Sequence, residues 1–309
     1  MSISLATWNV DPEIFRIGDF AVRYYGVLFA IGMILSYQFM KRIFNREQIA
    51  IHYLDKLLIY IVVGTVVGAR LGHCLFYDFD YYSQHPLEIV LPIAKVEGSY
   101  HFVGFMGLAS HGGAIGVLLS LALFCKRYKT NLLQLLDRLV IAIPITGAFI
   151  RFGNFMNSEI YGKPTTSIFG IIFLRDDAIP RHPTQLYEAF AYLTVTIILY
   201  VLYQNKYSGY KGLLFGLFLI FMFTARFILE YFKENQVAFE NQMVLNMGQI
   251  LSIPFMVFGL ILVVWSLRKP KDTSNLHIVD PKRMQSQTVE NEGGTAEETE
   301  TDNNQGTVE

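Results

Sequence analysis

Residues 57–77 read LLIYIVVGTVVGARLGHCLFY, 21 residues with Arg70 as the one permanent charge. A bilayer-spanning helix needs about 20 mostly apolar residues. A strand is shorter than this, and a soluble amphipathic helix would interleave a polar face. The stretch therefore reads as a membrane span. Six more of the same kind flank it, at 20–40, 105–124, 132–150, 186–203, 212–231 and 247–267. The expected fold is an all-α integral membrane protein with seven transmembrane helices. Composition agrees. The 309 residues are 52% hydrophobic and only 17% charged, where soluble domains carry about 25% charge. A net charge of -1 without a basic stripe excludes a globally basic nucleic-acid binder. Two cysteines, Cys74 and Cys125, exclude a disulfide framework and a four-cysteine zinc site.

Lys and Arg near the span ends set the orientation. Lys41, Arg42, Arg46 and Lys56 lie between the first two spans, and Lys126, Arg127 and Lys129 follow the third. Lys206 and Lys211 separate the fifth from the sixth, and Arg268, Lys269 and Lys271 follow the seventh. With seven spans all four groups share one face, the cytoplasmic one. The N-terminus is then periplasmic and the C-terminus cytoplasmic. The first span follows a polar start (Asp11, Glu13, Arg16, Asp19) and is expected to remain as an anchor. Two long connections, 78–104 and 155–185, fall on the periplasmic face and are expected to form small caps.

Residues 1–271 are expected to be the membrane domain. Nine acidic and two basic side chains give residues 272–309 a charge of -7, so the -1 of the whole chain hides +6 in residues 1–271. Rich in Glu, Thr, Asn and Gln, that segment cannot bury enough apolar surface to offset its chain entropy. It reads as an acidic disordered cytoplasmic tail.

Ionisable groups at membrane depth mark a functional site or a paired structural group. Five positions stand out on the expected periplasmic side: Tyr25, Arg70, His111, Arg151 and Arg226, with Glu230 one turn after the last. Three arginines and a histidine would make an anion site, since guanidinium forks match phosphate oxygens. Each has a structural alternative. Arg226 and Glu230, spaced i, i+4, could neutralise each other. Arg70 could snorkel or pair with a carboxylate, and His111 among glycines could serve helix packing. The Asp137–Arg138 pair reads as structural. Arg151 carries the strongest functional signal, because Asn154, Asn157, Ser158 and Glu159 follow at once. In helical geometry Arg151, Asn154 and Ser158 share a face. Gly153 and Gly162 would admit a backbone or ligand closely. Farther on, Pro180-Arg181-His182-Pro183-Thr184-Gln185-Leu186-Tyr187-Glu188 leads into the fifth span, with Thr184 as the expected N-cap.

The run Arg151-Phe152-Gly153-Asn154-Phe155-Met156-Asn157-Ser158-Glu159 resembles the signature Gly-Arg-x-Gly-Asn-Phe-x-Asn-x-Glu of the bacterial phosphatidylglycerol–prolipoprotein diacylglyceryl transferases. Arg23-Tyr24-Tyr25-Gly26, Gly68-Ala69-Arg70-Leu71-Gly72, His111-Gly112-Gly113, Arg181 through Glu188, Arg226-Phe227-Ile228-Leu229-Glu230 and Met247-Gly248-Gln249 match in the same order. Ser158 stands where a glycine is common, Tyr161 for a Trp and Lys163 for an Arg, and the acidic-proline ending after Glu230 is missing.

The resemblance implies a transferase of the bacterial inner membrane with two substrates, phosphatidylglycerol and the lipobox cysteine of a prolipoprotein. The thiol attacks the glyceryl carbon bonded to phosphate, a thioether forms and glycerol phosphate leaves. It implies no metal and no cofactor. A thiol of pKa about 8.5 needs a proton acceptor, and His111 is the candidate base. Arg151 and Arg226 would hold the charge gained by the leaving group. Arg151, Tyr25, Asn154, Arg70, Glu230, Gly162 and His182 are the expected phosphatidylglycerol contacts. The rival is a secondary transporter of an anionic solute. It would need a polar path to both faces and often internal repeats, and neither is evident. No Gly-x-Ser-x-Gly or His-Glu-x-x-His occurs to support a hydrolase.

Overall fold

A computed structural model describes residues 6–18, 20–91, 93–96, 99–102, 107–234, 243–272, 276 and 278. The chain is mostly helical, with short strands confined to the connections. β1 (Ala6–Trp8), β2 (Glu13–Ile17) and β3 (Phe20–Arg23) precede α1 (Tyr24–Arg46) and α2 (Ile51–Phe76). Two short helices, α3 (Phe79–Gln84) and α4 (Pro86–Val90), and the pair β4 (Ile93–Val96) and β5 (Ser99–Phe102) lead to α5 (Ser110–Arg127). Then come α6 (Leu132–Met156), β6 (Ile171–Phe173), β7 (Pro180–Arg181), α7 (Thr184–Gln204), α8 (Leu213–Glu230) and α9 (Met247–Leu267).

Six of these helices, α1, α2, α6, α7, α8 and α9, are long and apolar enough to cross a membrane. The chain is thus a multi-pass membrane protein. The expectation of seven finds six by this measure. The expected third span, 105–124, corresponds to α5, which starts five residues later and runs on into Lys126 and Arg127. Its Ser110-His111-Gly112-Gly113 opening and basic end dilute an apolar middle. The start is set locally: Gly107 has φ +74° and Ala109 is extended at the N-cap. The first helix likewise begins at Tyr24, because residues 20–23 pair with β2 in an antiparallel hairpin. The segment expected as a disordered tail lies, but for Asp272, Leu276 and Ile278, outside the described residues.

The chain divides into two compact units. The first holds the described residues of Met1–Glu47 and Leu133–Asn275. Within it α6 is the most enclosed helix, apolar on nearly every side as a central helix must be. Ala148, Ala189 and Tyr192 pack at its middle against Phe152 and Met222. Two buried polar devices brace one end of this unit. Asp137 accepts from Gly212 N (2.6 Å) and Phe215 N (2.8 Å), so a carboxylate on α6 satisfies the orphan donors that open α8. Arg138 pairs with Glu47 at 3.0 Å, and the Tyr203 hydroxyl donates to the same carboxylate at 2.8 Å. The structural reading of Asp137 and Arg138 therefore has a geometry.

The second unit includes Gln48–Leu132. Its core is the contact of α2 with α5 along two small-residue rows, Gly64, Gly68 and Gly72 against Gly112, Gly116 and Ser120. A Cβ added at Gly116 would overlap the Gly64 carbonyl, so the two backbones touch directly.

Candidate active site

The site is built on the far end of α6. That helix continues to Met156, six residues beyond the expected span. Arg151 therefore stands inside it, not at its end. Its Nε meets Glu188 Oε2 at 2.7 Å, and its Nη1 donates to Asn154 Oδ1 at 3.2 Å. It also hydrogen-bonds the Tyr192 side chain. Asn154 Nδ2 donates onward to Glu159 Oε1 at 2.7 Å. Ser158 does not share this face. The helix has ended, and Ser158 and Ile160 take left-handed backbone at φ +56° and +57°. That conformation suits glycine and strains a branched side chain. Tyr25 packs against Gly153: a Cβ added there would come 2.8 Å from its ring.

α7 supplies Glu188 and Tyr192, one turn apart on one face. Thr184 does not cap this helix by its side chain; its hydroxyl donates to Ile160 O at 3.0 Å instead. α8 supplies Arg226 and Glu230. Arg226 lies within electrostatic reach of Tyr192, as Arg151 does. The alternative in which Arg226 and Glu230 neutralise each other finds no ion pair between them. Glu230 Oε2 faces Lys233 Nζ at 3.4 Å, and Lys233 Nζ also meets Glu188 Oε1 at 2.7 Å. Glu188 is 1% and Lys233 5% exposed, so this is a buried ion row.

A three-way crossing of extended chain ties these helices together. Gly162 N donates to His182 O (2.8 Å), His182 N to Lys163 O (3.1 Å) and Lys163 N to Phe232 O (2.7 Å). A Cβ on Gly162 would come 2.5 Å from Phe232 O and 2.9 Å from His182 Cβ. Gly162 is therefore where three chains pinch together, behind the end of α6, the start of α7 and the end of α8. His182 Nδ1 lies 3.3 Å from the Tyr187 hydroxyl, and burial holds its pKa below the ordinary imidazole value. Beside it Arg181 bonds Asp177 (2.6 Å) and Glu234 (2.5 Å) and stacks over Tyr161. Those bonds raise the guanidinium pKa, Asp177 first, and hold Asp177 itself below the usual carboxylate range. Burial, with a hydrogen bond to Asp176, pushes Tyr161 up to about 12.

Arg70 and His111 belong to the second unit. Arg70 is 7% exposed. It donates to the carbonyls of Glu88 and Ile89, to the Tyr82 hydroxyl and to Gly107 O, and its guanidinium lies 4.8 Å from the Tyr82 ring centre. It thus clamps α3 and α4 onto α2. His111 is exposed in the first turn of α5. Among the described residues, no group of three or more His, Cys, Asp or Glu side chains is arranged to hold a metal ion.

Sequence reasoning named Glu188 within a motif but gave it no role, and did not single out Tyr192 or Lys233. The i, i+4 spacing of Glu188 and Tyr192 was a signal for the first two. For Lys233 the i, i+3 spacing to Glu230 was a signal, while its contact with Glu188 on another helix had none.

A family profile described as prolipoprotein diacylglyceryl transferase matches residues 12–265. A protein of Tolumonas auensis is 48% identical over 264 residues, covering 85% of this chain and 98% of its own length. One of Bacteroides fragilis is 46% identical, covering 82% and 92%, and one of Chloroherpeton thalassium 38%, covering 85% and 94%. All three are named phosphatidylglycerol–prolipoprotein diacylglyceryl transferase. Family profile, relatives and the ordered motifs around Arg151 agree, and the chain belongs to the prolipoprotein diacylglyceryl transferase family.

Proposed function

We propose that this chain transfers the diacylglyceryl group of phosphatidylglycerol to the lipobox cysteine of a prolipoprotein in the bacterial inner membrane. One observation carries the residue-level reading. Arg151 hydrogen-bonds Tyr192, Arg226 from another helix lies only within electrostatic reach of that side chain, and Arg226 has no ion-pair partner among the described residues. A guanidinium without an ion-pair partner among the described residues is costly on an apolar helix unless a ligand anion completes it. A phosphodiester headgroup meets that need, and the fork geometry suits its oxygens.

The cysteine sulfur attacks the glyceryl carbon bonded to the phosphate oxygen. A C–S bond forms as the C–O bond breaks. Glycerol phosphate leaves with the electron pair and one more negative charge on phosphorus oxygens, which Arg151 and Arg226 stabilise. The thiol proton needs an acceptor, and His111, in the second unit, is the base we propose on the chemistry of its imidazole. Tyr25 and Asn154 line the headgroup, and Gly162 and His182 support the wall behind it. Arg70 commits its donors to protein acceptors and holds α3 and α4 onto α2 within the second unit. In this reading α5 is a seventh span, the N-terminus is periplasmic, the site faces the periplasmic leaflet and the acidic tail is cytoplasmic.

The transporter alternative gains no support, since the relatives bear a transferase name. The test is incubation of purified protein with phosphatidylglycerol vesicles and a lipobox peptide. A diacylglyceryl mass increase on the cysteine with release of glycerol phosphate is expected. An unmodified peptide under conditions where the lipid is bound would refute the reading.

A further inference from the structure

We propose that Lys233 is a positioning residue that keeps both site arginines available to the lipid, by occupying the two carboxylates that would otherwise close on them. The inference rests on the transferase reading above. Glu188, 1% exposed, is too enclosed to stay charged without partners. Offered Arg151 alone, its two oxygens would take that guanidinium in two-point geometry. That is the same geometry the lipid phosphodiester requires. Lys233 prevents this by holding Oε1 at 2.7 Å, which leaves Arg151 only Oε2, at Nε, also at 2.7 Å. The second carboxylate is held more loosely, by an ion pair without a hydrogen bond. Glu230 lies one helical turn from Arg226, yet its Oε2 faces Lys233 at 3.4 Å.

The surroundings hold Lys233 in that place. Its backbone donates to Glu230 O at 3.2 Å and is bridged to Gly162. Glu230 has little room to swing away, because a Cβ added at Gly248 would lie 2.5 Å from its carboxyl carbon. A lysine ammonium suits the task, since three rotatable donors can serve two carboxylates from one point.

The full-length protein in detergent tests this with Lys233→Met, Lys233→Arg and Glu188→Gln. Lys233→Met should raise the KM for phosphatidylglycerol at least about fivefold with kcat within about twofold, a loss confined to lipid binding. Lys233→Arg should stay within about twofold of the parent in KM, since it keeps the charge. In a Glu188→Gln background Lys233→Met should cost less than about twofold, the non-additivity of residues acting through one another. Binding of fluorescent phosphatidylglycerol, which needs no chemistry, should weaken in step with KM. Lys233→Gln replaces Lys233→Met if the latter fails to elute as a folded species. A parent that binds lipid but forms no thioether sinks the transferase reading alone. Unchanged lipid affinity in the lysine variant, a loss confined to kcat, or full additivity with Glu188→Gln overturns the role of Lys233.

Discussion

Replacing Arg151 with lysine asks whether two-point geometry or charge alone grips the lipid. In the structure Arg151 reaches Glu188 through Nε at 2.7 Å and Asn154 through Nη1 at 3.2 Å. A lysine ammonium is one point on a flexible stem. It can remain with Glu188, but it then cannot also span to Asn154 and an incoming phosphodiester. At least one hydrogen bond to a charged group is lost, about 1.5–3 kcal/mol. At about 1.4 kcal/mol per tenfold, kcat/KM should fall between about 10- and 150-fold. Arg151→Ala forfeits the remaining charge and should take thioether formation below detection. The assay is the mass of a lipobox peptide after incubation with phosphatidylglycerol vesicles, normalised to protein that elutes as a folded species. Arg151→Lys within threefold of the parent would refute the fork argument, and an active Arg151→Ala would refute the anion clamp itself.

Arg226→Lys should also remain impaired in that assay, because a point charge does not replace a fork; parental activity there would remove Arg226 from the clamp. His111→Gln should flatten the pH–rate profile near neutrality, and a parental profile would exclude His111 as the base. Ser158→Val, a branched residue at φ +56°, should destabilise by about 1–2 kcal/mol, while Ser158→Gly should leave the melting temperature unchanged or higher. A harmless valine would show that the loop does not hold this backbone. Asp177 has its pKa lowered by Arg181, so its contribution is present above the unfolded carboxylate value of about 3.9 and fades as pH falls through the lower folded value. Proteolysis within 174–181 should therefore quicken below about pH 4. It should be quick at every pH in Asp177→Asn, and a parent indifferent to acid would contradict the pairing.

The spans were legible because length and apolarity are local properties, and residues 57–77 or 247–267 need no partner to declare themselves. Boundaries were not. α5 opens on Ser-His-Gly-Gly and closes on basic residues, while residues 20–23 read as helix but pair with Glu13–Ile17. Of the expected polar face on α6, Arg151 and Asn154 do meet, because both lie within one helix. Ser158 escapes that face because the chain leaves the helix at Met156. Arg226 and Glu230 were spaced to pair, and the spacing misled, because a lysine three residues farther on competes for the carboxylate. The same lysine also meets Glu188 of α7, and no window of sequence contains that contact.

The glycine seam between α2 and α5 has a mechanical consequence. With Gly116 seated on the Gly64 carbonyl and Gly112 on Gly68, backbone meets backbone there, and only small side chains such as Ser120 lie along the seam to absorb a displacement. They should behave as one stiff plate. His111 at the head of α5 and Arg70 in α2 then travel together, and α3 and α4 ride along through the Arg70 clamp. A single methyl group inserted at Gly112 would act as a shim, tilting the imidazole without touching it.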